Sequence, residues 1–301
     1  MKTLLKLSAA AWFWFFAVIG TTYADTDINK NASRLSAPPQ AFNVRDYGAV
    51  GDDKTDNTAA FSKCLDAIVA AGGGRMVLPD GVYRGRIAIP PVAKPAPSWI
   101  TVEIFGESEP VAVFGTIGDF PLQNRGTIVK CLATEGAAVI SATRPPKGQD
   151  LYGNFSAVYV VLRNLNVRTY DNPGIGGIDL ADAMQCRLEN VFVNTGIYSV
   201  QAAKPTHGTK GLVTPRNNNA ALTILRNVAV TGYHTGIMVN EHTDADSIEL
   251  DANIHGLEFP FALGWCWLWL ILVLDRLHHM WHRGTSATCT VLGLWEWDSS
   301  L

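Results

Sequence analysis

The chain has 301 residues, 48% hydrophobic and 17% charged, with 27 glycines and a formal net charge of −3. That length and apolar share suffice for a large core, and the glycine count favours a turn-rich β protein over a helical one. The charge leaves no case for nucleic acid as a partner, which needs a basic face, and no phosphate-loop or dinucleotide glycine motif falls between a strand and a helix.

Met1 to Ala24 has the pattern of a secretory signal: Lys2 and Lys6, an apolar run from Leu7 to Gly20, then Thr22-Tyr23-Ala24 as a cleavage site. The alternative is an uncleaved anchor. Asp25 to Gln40 reads as a flexible leader, and the mature protein is expected outside the cytoplasm. The five cysteines (64, 131, 186, 266, 289) lack metal-ligand spacing, and nothing in the sequence pairs them. Cys64, Cys131 and Cys186 sit in apolar contexts and are expected to be buried small hydrophobes.

Phe42 to Gly85 reads as strand, acidic turn, helix, glycine stop, strand, turn, strand. Phe42, Val44 and Asp46 fall on one side of a short strand closed by a turn over Gly48 to Gly51. Thr55, Asp56 and Asn57 all offer side-chain oxygens suited to a helix start. Phe61, Cys64, Leu65, Ile68 and Val69 then recur at helical spacing, predicting a helix over 58–71 that Gly72-Gly73-Gly74 ends. Met76-Val77-Leu78 and Val82-Tyr83 flank a Pro79-Asp80-Gly81 turn. Asp52, Asp53 and Asp56 look calcium-like, but their place at a helix start favours capping.

The stretches Val44-Arg45-Asp46-Tyr47-Gly48-Ala49, Gly51-Asp52-Asp53, Thr55 to Ala60 and Val77 to Tyr83 resemble the entry of the pectate-lyase-like right-handed parallel β-helices. The likeness is to the branch with rhamnogalacturonases, epimerase-like proteins and many phage tailspikes, and it covers residues 42 to about 261. It implies an all-β, right-handed parallel β-helix over 41–261, its open end covered by the N-terminal helix.

Beyond this block, Trp99 to Phe105, Thr127 to Leu132 and Ala137 to Ile140 read as strands, with proline-broken loops over Pro90 to Pro97 and Arg144 to Gly148. A repeat then sets in. Leu162 to Val167, Leu188 to Val193 and Leu225 to Val230 align without gaps, and Ile248 to Ile254 follows less cleanly. A second unit recurs as Gly177-Ile178, Gly196-Ile197, Gly236-Ile237 and Gly256-Leu257, with Gln201 to Asn219 as a polar excursion. Units this small must stack to bury their apolar sides. The Asn164, Asn190, Asn227 column predicts a structural ladder of amides rather than a binding site.

After Phe261 the repeat stops. Residues 262–301 form an atypical tail, with an apolar run from Leu263 to Leu274, too short for a comfortable span of about 20 residues. His278, His279 and His282 match no known metal-ligand spacing. A break this abrupt reads as a truncation or frame shift in a longer β-helix gene, with a buried or membrane-associated segment as the alternative. A membrane is expected to be met only through the signal or this tail.

The resemblance implies a carbohydrate-active protein working on pectin-like or other acidic polysaccharides, as polysaccharide lyase or glycoside hydrolase. The competing class is a non-catalytic glycan-binding or adhesion β-helix of the tailspike kind, or an inactive fragment. Hydrolysis needs two carboxyl groups, whereas a lyase needs a base, often with calcium on the uronate carboxylate. Strand alternation turns Asp179 outward between Ile178 and Leu180, with Asp182 following at the turn. Asp179, Asp182 and His234 are the candidate catalytic residues. Arg187, Glu241 and His242 are candidates for substrate binding, and Asp244 and Asp246 for calcium, all weighed against the bland reading of solvated surface residues. The polygalacturonase pattern, which combines paired aspartates with a Gly-His-Gly and an Arg-Ile-Lys, is absent from the sequence.

Overall fold

The computed structural model describes residues 39–92, 99–110, 126–131, 138–144, 157–169, 174–195, 207–216, 222–240 and 242–259. The expected signal, the leader up to residue 38 and the tail from residue 262 lie outside these residues, as do Glu241, Cys266, Cys289 and the Gly196-Ile197 unit.

The chain winds into coils. A partial coil, β1 (Ala41–Asn43) and β2 (Asp52–Asp56), precedes two coils of three strands each: β3 (Gly74–Leu78), β4 (Gly81–Arg84), β5 (Ile87–Ile89), then β6 (Ile100–Gly106), β7 (Thr127–Lys130), β8 (Ile140–Ala142). Four further coils run a long strand into a short one: β9 (Val158–Arg168) and β10 (Ile178–Asp179), β11 (Gln185–Asn194) and β12 (Lys210–Val213), β13 (Thr223–Thr231) and β14 (Thr235–Met238), β15 (Thr243–Asp251) and β16 (His255–Glu258). Every described pairing is parallel. Parallel neighbours one coil apart are what a β-helix requires.

The long strands each serve two faces. Val158 to Arg163 of β9 pairs with β6, whereas Leu165 to Arg168 pairs with β7. Asn164 stands at the joint in the left-handed conformation, φ 56°, and Asn190, Asn227 and Ser247 repeat it at 53°, 50° and 57°. The ten-stranded sheet thus bends along this column into a first and a second face, and the six short strands β5, β8, β10, β12, β14 and β16 make the third. The predicted amide ladder is present. Asn190 Nδ2 donates to Asn164 Oδ1 at 3.1 Å, and Asn227 Nδ2 to Asn190 Oδ1 at 2.9 Å.

Inside lies one apolar core of stacked aliphatic columns: Val160, Cys186; Leu162, Leu188, Leu225; Leu165, Val191, Val228; Val167, Val193, Val230; Ile140, Ile178, Leu212, Ile237. Glycine at the entry to the third face has a steric cause. A Cβ on Gly177 would lie 2.2 Å from a Val193 methyl, and one on Gly211 2.1 Å from a Val230 methyl. Only glycine lets the two backbones close at that corner.

Helix α1 (Thr58–Ala70) takes, in chain order, the third strand's place in the opening coil. It packs on β1, β3, β5 and β6 and buries Ala60, Phe61, Cys64, Leu65 and Ile68, worth roughly 1.5–3 kcal/mol for each large side chain before entropy. Gly72 and Gly73 stop it with positive φ, donating to Val69 and Ile68 carbonyls at 3.0 and 2.9 Å. This helix is too short and too polar to cross a membrane, and no described helix could do so.

Several sequence-based expectations need correction. The first strand ends at Asn43, because its side chain accepts the Arg45 N–H (2.9 Å) and starts a 3-10 turn over Val44–Tyr47. The acidic turn is strand β2, paired with β4. Asn57 does not cap α1 with its side chain, since its amide is taken by Val50, Thr55 and Arg84 backbone groups; Asp56 accepts the Thr58 N–H instead. The fourth repeat is offset: Val228 pairs with Ile248, so Ser247, not Asp251, holds the corner. Within the supposed excursion, Lys210–Val213 is a full rung, Leu212 pairing with both Ile178 and Ile237. Asp244 and Asp246 sit on strand β15 rather than in a loop.

Candidate functional site

Alternation on the third face buries Ile178 and Leu180 and leaves Asp179 exposed on the outer side. One Asp179 oxygen accepts the Ala181 N–H at 3.0 Å, which holds the carboxylate against the turn that follows β10. Its rung neighbours are Ser141 and Val213. Arg86 reaches the Ser141 hydroxyl at 3.4 Å, bringing a cation to the same side.

Asp182 follows on the same turn, so the structure brings Asp179 and Asp182 together. The Asp182 carboxylate is occupied, however. Its Oδ1 accepts from Arg144 Nε at 3.2 Å and from Arg216 Nη2 at 2.9 Å. The three form a column, because Ile140, Ile178 and Leu212 are paired and each charged residue lies four positions further on. Side-chain exposure is 51% for Arg144, 17% for Asp182 and 46% for Arg216.

His234 lies elsewhere on this face, just ahead of β14. Met238, not His234, shares Asp179's position two rungs on, which puts His234 roughly 13 Å along the strand and roughly 10 Å across rungs from that carboxylate. Its ring lies instead between those of His207 and His255, tilted to the first and edge-on to the second, with centroids at 4.5 and 5.1 Å. Burial, then His207 and His255, pull its pKa below the ordinary 6.5.

The remaining described candidates belong to the first face. Arg187, read from sequence as a clamp near Asp182, turns along its own strand to Glu189, with Nε–Oε1 at 2.7 Å. Glu189 also meets Arg163, which meets Glu103, which meets Arg75, so the charges of this face are paired across coils. His242 offers its carbonyl to Thr223 N–H at 2.8 Å. Asp244 places both oxygens on Arg226, at 2.6 and 3.3 Å, and Asp246 lies beside the Ser247 hydroxyl. Calcium takes about 6–8 oxygens. Asp244 and Asp246 do not fit that demand, and among the described residues no three His, Cys, Asp or Glu side chains are arranged around a common metal position. Burial pushes the Cys64 and Cys186 thiols up to about 12, so neither is a nucleophile. Both are buried, as is Cys131, and none of the three forms a disulfide.

Sequence reasoning missed Arg86, Arg144 and Arg216. The signal for the last two was their common offset from the Ile140, Ile178, Leu212 column, visible only once Gly211-Leu212 is recognised as a rung.

The model of the family described as rhamnogalacturonase A/epimerase, pectate lyase-like, matches residues 41–274. Mannuronan C5-epimerase AlgE3 of Azotobacter vinelandii is 56% identical over 43 residues, 14% of this chain and 2% of that protein. Alginate lyase 7 of Azotobacter vinelandii is 54% identical over 43 residues, 14% of this chain and 5% of that protein. Exo-poly-alpha-D-galacturonosidase of Dickeya chrysanthemi is 37% identical over 70 residues, 22% of this chain and 11% of that protein. The matches therefore span a small part of these relatives' length. Among solved structures, the Agl-KA catalytic domain aligns with TM-score 0.49 and 14% identity, covering 74% of this chain and 35% of that one. The A-module of mannuronan C-5 epimerase AlgE4 from Azotobacter vinelandii aligns with TM-score 0.33 and 16% identity, covering 73% and 58%.

Proposed function

Because the chain belongs to the rhamnogalacturonase A/epimerase family of pectate lyase-like proteins, we propose that it acts on a uronate polysaccharide by removing the proton beside the sugar carboxylate. The observation that carries this reading is Asp179, a carboxylate exposed on the outer side of the third face beside a turn with two arginines. The relatives' names supply the substrate class: mannuronan, alginate and poly-galacturonate.

Among the described residues the geometry favours proton removal over hydrolysis. Hydrolysis needs two free carboxyl groups about 5–9.5 Å apart. Asp182 is held by two guanidinium groups. Glu258 shares Asp179's column but stands three rungs away, roughly 14 Å. A single base suffices for the other chemistry. Asp179 takes the C5 proton and the electron pair is delocalised into the carboxylate. Either the C4–O bond then breaks, leaving a C4–C5 double bond and a leaving oxygen that takes its proton from water, or water delivers a proton to the opposite side and inverts C5. The apolar run near Met1 fits a protein exported to meet such a polymer.

The test is incubation of the full chain with alginate, polymannuronate and polygalacturonate in deuterated water. Elimination gives unsaturated, ultraviolet-absorbing ends, and inversion gives deuterium at C5. Asp179→Asn is expected to lower either rate by about 10²–10⁴-fold with an unchanged melting temperature. New reducing ends with neither signature, or an Asp179→Asn variant of full activity, would refute the proposal; binding without any product would favour the adhesion class.

A further inference from the structure

We infer that Arg144 and Arg216 together seat the sugar's carboxylate, and that Asp182 is the positioning residue that aims them; this rests on the uronate reading above. The three residues occupy one position on three successive rungs. Both guanidinium groups converge on a single Asp182 oxygen, at 3.2 and 2.9 Å. Two cations thus share one carboxylate and lie at the surface, about half exposed around a mostly covered aspartate. A latch between rungs needs one arginine only. The second brings a further set of N–H donors to the same place on the surface.

The donors for the sugar's carboxylate are present. Arg144 gives Asp182 its Nε and Arg216 an Nη2, and each guanidinium carries further N–H donors beside the one it uses there. A planar carboxylate matches such a fork of donors. Seated there, it brings its own C5 to the turn that carries Asp179, three residues before Asp182. Neutralising the carboxylate also makes the C5 proton easier to remove, since the charge that builds up on it is already compensated. Arg144 and Arg216 therefore select for the free acid over its ester and assist the step that Asp179 performs.

The experiment measures binding of polygalacturonate, its methyl ester, alginate and iota-carrageenan to the full chain at low ionic strength, with steady-state kinetics alongside. Arg144→Gln or Arg216→Gln is expected to weaken binding of the free-acid polymers about tenfold, and the double variant about a hundredfold. The methyl ester should bind weakly to all forms, and Arg226→Gln on the first face should change nothing. Asp182→Asn should raise KM about tenfold with kcat little altered, whereas loss of a catalytic acid would lower kcat about a hundredfold or more. Equal binding of acid and ester, arginine variants that bind as wild type, sulfate esters preferred over carboxylates, or a kcat-only effect of Asp182→Asn each overturns the inference, as does wild type that binds neither uronate polymer. If wild type binds these polymers through Arg144 and Arg216 yet converts none, the reaction proposed for Asp179 fails and the carboxylate seat stands. If it converts them while the arginine variants behave as wild type, the reverse holds.

Discussion

Asn190 shows how one side chain serves the backbone and the stack at once. Its φ of 53° lies in the left-handed region, which costs most residues roughly 1–2 kcal/mol. Its amide donates to Asn164 and accepts from Asn227, each bond worth about 0.5–1.5 kcal/mol. Asn190→Ala is therefore expected to destabilise by about 2–4 kcal/mol in urea unfolding, and Asn190→Gly by clearly less, because glycine removes the backbone strain and forfeits only the bonds. Equal losses in the two variants would show that φ plays no part. The ladder was legible in the sequence because three coils use the same residue; the fourth corner was missed because Ser247 replaces the amide, and strand register and φ reveal the equivalence. Asp179's outward direction was equally legible, from alternation alone. The partners of Asp182 were not, because Arg144 and Arg216 are brought to it by rung register and have no fixed spacing in sequence.

The short strands of the third face carry a pH dependence along with the candidate site. His207, His234 and His255 stand on successive coils at the entry to this face, with Lys210 and Glu258 as their charged neighbours. Burial is the main cause of the lowered His234 pKa, repulsion from the other two rings comes next, and Glu258 opposes both. The unfolded chain consequently binds this proton more readily than the folded one. His234's share of stability is intact above its ordinary 6.5 and is lost as pH falls below that value. Melting temperature followed from pH 8 to about pH 5 should drop less for His234→Gln than for wild type, and parallel profiles would exclude His234 as a source. At this scale the sequence was least informative. The rung over Lys210–Val213 hides in a polar stretch because its step from the previous corner is the longest of the series, and a strand so short lacks a periodicity of its own.

Across the described coils, burial falls off along the stack. Val228 and Val230 are 1% and 0% exposed, while Ile248 and Leu250, their partners one coil on, are only partly buried. Amide exchange is expected to be slowest in β9 and β11 and to quicken through β15 and β16, since each coil is supported only by its neighbours; uniform protection along the stack would contradict this. The fold itself was readable because repetition and the apolar stripe of α1 are properties of the sequence, whereas rung boundaries depend on contacts between coils. The corners have a further consequence. Asn164 to Asn190 spans 26 residues and Asn190 to Asn227 spans 37, yet the amides still meet at 3.1 and 2.9 Å. Register is therefore kept by landmarks rather than by length. Segments between one corner and the next can be lengthened, shortened or exchanged between relatives without disturbing the scaffold, so that a surface for a new polymer can be installed one storey at a time.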